Sequence, residues 1–182
     1  ATAAGGVFIL PFFLFSATAG QLADKYDKAM LIRNIKLAEI LIMALGAAAL
    51  FVGQVVPLFV VLFLMGMQST FFGPLKYSIL PVHLNRGELI GANSLVEAGT
   101  FLAILAGTIA GGLLILTTWG VEVVSVLVLA LAAAGYAASL AIPSAPAPSP
   151  ALTGNWNVAG ESWRMVSKAF SQRFSALTIL GI

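Results

Sequence analysis

Leu58-Phe59-Val60-Val61-Leu62-Phe63-Leu64 decides the fold class of this chain. A strand with one wet face alternates apolar and polar side chains, and this run does not. It lies inside a longer apolar stretch, 57–80, which meets the roughly 20 residues that a helix needs to cross hydrocarbon. Lipid offers no partner for backbone N–H and C=O groups, so only helices and closed barrels cross it. A barrel strand alternates between lipid and lumen, so the unbroken apolar run reads as a membrane-spanning α-helix.

Four further stretches of spanning length flank it, at 1–23, 29–52, 89–116 and 122–142. The composition agrees: 60% of residues are hydrophobic and 9% charged, against about 25% charged in soluble domains. The expected fold class is therefore all-α membrane protein. Pro57 suits a first helical turn, while Pro81 and Pro143 are expected to stop the helices before them. The loops are short, so consecutive helices should be antiparallel neighbours. Threading the chain this way puts Lys25, Lys28, Arg33 and Lys36, then Lys76 and Arg86, then Arg164, Lys168 and Arg173 toward one side. The connections 53–57 and 117–121 carry no Lys or Arg, and by the positive-inside rule the basic loops face the cytoplasm. A net charge of +2 spread among spans makes no nucleic-acid surface. With no cysteine and His83 as the single histidine, no metal site is expected.

The chain begins at Ala1, inside an apolar run, and ends on 174–182, too short to span. Both ends are expected to be cuts in a longer protein, with 174–182 opening a further transmembrane helix. Between Ile142 and that segment, Pro143, Pro146, Pro148 and Pro150 alternate with Ala and Ser as an extended spacer without capacity to pack. Trp163, Val166 and Phe170, with Arg164 and Lys168 interposed, fit a short basic amphipathic helix along the inner leaflet, or a solvated tether. The organisation is thus a five-helix bundle over 1–142, a cytoplasmic linker over 143–173, and a helix start over 174–182.

Charges inside hydrocarbon cost about 2.5–3.5 kcal/mol each unless partnered. Lys36 and Glu39, at i and i+3, can pair along one helix face. Lys76 near the end of its span and Glu97 in the next, antiparallel one are expected to form a cross-helix ion pair. Asn93, Glu97 and Thr100 share one face, and Ser69 and Lys76 another; two facing polar stripes imply a wet cavity. Gly99, Ala103, Gly107 and Gly111 form a small-residue stripe expected to allow close helix packing. His83 with Glu88 five positions on does not make an acyltransferase His-x4-Asp pair, and no catalytic residue is assigned.

Gly20-Gln21-Leu22-Ala23-Asp24-Lys25-Tyr26-Asp27-Lys28 joins the first two spans. Asp24 can accept hydrogen bonds from a neighbouring helix end while Lys25, Lys28 and Arg33 reach carboxylates or lipid phosphates, which makes a latch that two states could share. The nonapeptide resembles the signature loop of the major facilitator superfamily, which usually has a glycine where Asp27 stands and often a basic residue where Ala29 stands. Phe72-Gly73-Pro74-Leu75-Lys76-Tyr77 and Gly91-Ala92-Asn93-Ser94-Leu95-Val96-Glu97-Ala98-Gly99-Thr100 are similar to segments of its lysophospholipid transporter subfamily.

That resemblance implies helices two to six of the amino-terminal bundle, with the start of the central loop and of helix seven. It implies alternating-access movement of lysophospholipid, lysophosphatidylethanolamine first, in a bacterial inner membrane, against a carboxy-terminal bundle and without a cofactor. A zwitterionic headgroup wants a cation for its phosphate and a carboxylate for its amine, which Lys36 or Lys76 and Glu39 or Glu97 could supply; a fixed Lys76–Glu97 brace is the alternative. Some relatives carry fused acyltransferase and ligase domains, so the membrane half of such an enzyme is a second reading. A facilitator for another amphiphile or drug is a third, and a non-transporting scaffold a fourth.

Overall fold

The helix Lys28–Val52 is bounded at both ends by residues whose local chemistry starts and stops it. In the computed structural model, which describes residues 2–149 and Gly160, the elements are α1 (Thr2–Lys25), α2 (Lys28–Val52), α3 (Val55–Ser78), α4 (Leu80–His83), α5 (Leu89–Leu114) and α6 (Gly120–Leu140). Asp27 caps α2, its Oδ1 accepting from the Met30 N–H at 2.9 Å. Gly53, at φ 68°, ends α2 in the left-handed conformation that glycine adopts without strain. Pro57 falls in the first turn of α3, where a missing N–H costs no hydrogen bond. Helix α3 ends at Ser78, ahead of Pro81 as expected, and Pro81 falls in the first turn of the separate short helix α4. The apolar span runs on from Val55 to His83.

Five helical stretches are long and apolar enough to cross a membrane, and the described residues form no strand. The fold is an all-α membrane helix bundle. Large apolar side chains stand outward, Leu116 at 82% exposure and Ile90 at 79%, as lipid as solvent allows. Inside, α1 packs on α3, and α2 on both α3 and α6, while α5 touches its neighbours α4 and α6 only sparsely. The bundle has two apolar layers. One, toward the basic end, holds Ala23, Ile32 and Leu75 with Ile35, Phe72 and Ile142; the other holds Ile42, Ala49 and Val61 with Met43 and Met65.

Close backbone approach occurs, but not where the small-residue stripe placed it. At Gly66 of α3 an added Cβ would collide with the Phe8 carbonyl oxygen of α1 and come within 3.2 Å of Pro11 Cγ. Further along α1, Ala23 packs in one buried cluster with Leu75 of α3. Gly99, Gly107 and Gly111 have nothing within 4 Å of an added Cβ, and α5 has no buried residue. A stripe permits contact; the helix laid opposite decides whether contact is made.

The proline-rich spacer also departs from expectation. Its described part, through Ser149, lies against the α1–α2 junction, and Ala145 is fully buried. The amphipathic segment expected at 163–170 and the helix start at 174–182 lie outside the described residues.

Candidate functional site

Between the two apolar layers, at mid-height of α2 and α3, the bundle holds a polar layer. Lys36 and Glu39, one turn apart on α2, are paired with Nζ 2.8 Å from Oε2, and their side chains are 20% and 22% exposed. Glu39 lies about 16 Å along α2 from Lys28, near the middle of the span. Gln68 of α3 donates its Nε2–H to the same Glu39 Oε2 at 2.9 Å. Both bonds converge on one carboxylate oxygen, leaving Oε1 without a hydrogen bond among the described residues. Glu39, Gln68 and Ser69 line a cleft of about 230 Å³ whose remaining wall is Ile42, Met43 and Met65.

The Lys36 ammonium is held from two more sides. It sits 4.8 Å from the centre of the Phe72 ring, a cation–π contact. Its stem passes over Gly135 of α6, where an added Cβ would lie 3.5 Å from Nζ. The sequence placed Lys36 and Glu39 together by their spacing; Gln68, Phe72 and Gly135 escaped it. A lone glutamine in the middle of an apolar helix was the available signal for Gln68. No one-dimensional signal exists for Phe72 and Gly135, which come from other helices.

Lys76 and Glu97 are not paired, which corrects the expected cross-helix bridge: the ion pair found among the described residues is Lys36–Glu39. Lys76 Nζ instead reaches Thr100 Oγ1 at 3.4 Å and lies 4.7 Å from the Tyr77 ring centre. Helix α5 stands off from α3, so the lysine stem bridges to one polar atom and that atom is Thr100. Asn93 turns back to its own helix, its Nδ2 donating to the Leu89 carbonyl at 2.9 Å. Of the two facing polar stripes, only the Lys76–Thr100 contact forms. His83 is exposed in the last turn of α4, and Glu88 is occupied with Asn85, whose N–H it accepts at 2.9 Å.

At the basic end, the latch candidates separate. Arg33 reaches no carboxylate among the described residues; it donates to the carbonyls of Ser139, Leu140 and Ile142, the last at 2.7 Å, and so caps the C-terminus of α6. Lys25 lies over the Tyr26 ring. Lys28 is buried, with no hydrogen-bond partner for its Nζ among the described residues. The Asp24 side chain is exposed and its carboxylate bonds no described residue, although its backbone carbonyl accepts from the Ser149 N–H at 3.0 Å. Gly20 has open space around it. Asp27, not among the latch candidates, makes the connections. Beyond its Met30 cap, its Oδ2 accepts from Ser144 Oγ at 2.7 Å and from the Ala145 N–H at 3.0 Å. The Met30 N–H first, then the Ser144 hydroxyl, hold its carboxyl below the ordinary value of 3.8.

Compared with known proteins, the chain is 36% identical over 178 residues to the lysophospholipid transporter LplT of Salmonella heidelberg (strain SL476). It is equally similar to the proteins of the same name from Salmonella agona (strain SL483) and Salmonella newport (strain SL254). The match takes in 96% of this chain and 39% of each relative, so the chain spans well under half of their length. Neither a family model nor a solved structure matches it.

Proposed function

The chain is a relative of lysophospholipid transporters across nearly all of its own length, and from that premise we propose that it is one bundle of a major-facilitator transporter. Its cargo is lysophospholipid, which it moves across or between the leaflets of a bacterial inner membrane, basic loops in the cytoplasm. The observation that carries this reading is the mid-span layer of Lys36, Glu39 and Gln68. An ammonium and a carboxylate side by side at half-depth match the two ends of a zwitterionic headgroup. A phosphate replaces Glu39 at Lys36, and a primary amine replaces Lys36 at Glu39, each exchange conserving charge. Lysophosphatidylethanolamine supplies that pair of groups together with N–H donors for Glu39. Lys76, free of a carboxylate among the described residues, is a second cation within the span for the phosphate.

Alternating access requires a second bundle to rock against, and the exposed Asp24 carboxylate at the α1–α2 junction is the group of the signature loop available to it. The reading is tested by reconstituting the full-length protein in proteoliposomes. Lysophosphatidylethanolamine should move faster than lysophosphatidylcholine, whose quaternary amine has no proton to donate, and Glu39→Gln should abolish that preference. A protein that moves a sugar or a drug and leaves lysophosphatidylethanolamine in place would refute the substrate.

A further inference from the structure

We propose that residues 144–149 form a strap locked onto the α1–α2 junction by Asp27, so that the first part of the linker after α6 belongs mechanically to this bundle. The Asp27 carboxylate divides its work between its two oxygens. Oδ1 caps α2 through the Met30 N–H, and Oδ2 takes both Ser144 Oγ and the Ala145 N–H. Ala145 is then gripped on its other polar group as well, its carbonyl accepting from the Lys28 N–H at 2.9 Å. At the far end of the strap, the Ser149 N–H donates to the Asp24 carbonyl at 3.0 Å. Ala145 is fully buried while Ser144, Pro146, Pro148 and Ser149 around it are exposed, as for a segment pressed down at one residue. Arg33 secures the entry by holding the last carbonyls of α6, including that of Ile142. Prolines at 143, 146 and 148 restrict the segment before it docks, which lowers the entropy lost on fastening it.

The residue that builds this device is the one by which the loop departs from its family pattern. A glycine at position 27 would leave Ser144 Oγ and the Ala145 N–H without their acceptor. With the aspartate, the first turns of α2 fasten the end of α6 and the strap together, as far as Ser149 beside Asp24. The strap stands on contacts within the chain, so it can fail without touching the transport reading, and transport can fail without touching the strap.

The experiment is hydrogen exchange on the full-length protein in nanodiscs, comparing the parent with Asp27→Asn. Asparagine caps a helix as well as aspartate does, but its second polar atom is a donor and cannot accept from Ala145 or Ser144. The expected result is about tenfold faster exchange at the Ala145 and Ser149 amides, with Met30 and the first turn of α2 unchanged. Protection at Ala145 and Ser149 that survives Asp27→Asn, or that is absent in the parent, overturns the strap. If the first turn of α2 loosens as well, Asp27→Ser decides, because serine keeps the cap and removes the second oxygen. Release of Ala145 with the cap intact then supports the proposal, and retention refutes it.

Discussion

Replacing Glu39 by glutamine removes the charge that the Lys36 ammonium faces at 2.8 Å, with both side chains no more than 22% exposed. Breaking a buried pair from one side costs about 3–5 kcal/mol, and an unpaired charge at the centre of a span about 2.5–3.5 kcal/mol. Two features reduce this. The lysine stem begins only about 12 Å from the start of α2 and can bend toward the headgroups. The Phe72 ring at 4.8 Å retains a cation–π contact of about 0.5–2 kcal/mol. A net loss of about 2 kcal/mol follows for Glu39→Gln, and a similar one for Lys36→Met, which strands the carboxylate with Gln68 alone. The double variant has no charge left to strand, keeps an amide–amide hydrogen bond between the new glutamine and Gln68, and should lie within about 1 kcal/mol of the parent. The cycle thus predicts a coupling of about 3–5 kcal/mol, against about 0.6 for an average neutral hydrogen bond in a membrane. Reversible unfolding of the full-length protein in mixed micelles, followed by circular dichroism across an SDS titration, measures it. Additive single losses, with coupling at or below the neutral value, would show that the mid-span layer is not held by its ion pair.

Other expectations are more local. Gly66→Ala pushes α1 off α3 at Phe8 and should destabilise by about 1–3 kcal/mol in the same titration, more than Gly99→Ala on the open stripe. Arg33→Gln removes the charged cap of α6; a loss of about 1–2 kcal/mol, with faster amide exchange confined to 139–142, is expected. Because the Asp27 carboxyl is held below 3.8 in the folded chain, its contribution is complete above that value and is lost as pH falls through the lower folded one. Exchange at Ala145 should therefore be indifferent to pH between about 5 and 8 once corrected for intrinsic rate, and rise only below about pH 4. Since Lys76 and Glu97 are unpaired, Lys76→Glu combined with Glu97→Lys should fail to rescue the single variants, and recovery of transport in the double swap would restore the brace.

Features governed by a single stretch of chain were legible without a structure. Hydropathy over about 20 residues is a property of the stretch itself, so the spans followed from composition, whereas the expectation that consecutive helices pack as neighbours failed at α1, which packs on α3 and not on α2. Lys36 and Glu39 are brought together by helical geometry alone, whatever surrounds them. The packing of one helix on another carries no such local signature. Arg33 became a cap for α6, and Gln68, Phe72 and Gly135 came around the ion pair, because α2 lies against α3 and α6. Lys76 found Thr100 instead of Glu97, and the glycines of α5 found nothing, because α5 stands apart. The same holds for the spacer, whose composition announced a free tether until Asp27 supplied an acceptor from a loop more than a hundred residues earlier. In lipid, helices meet through shape and a few polar atoms and not through a hydrophobic drive, so partners depend on which surfaces fit, and that is decided only when the bundle assembles.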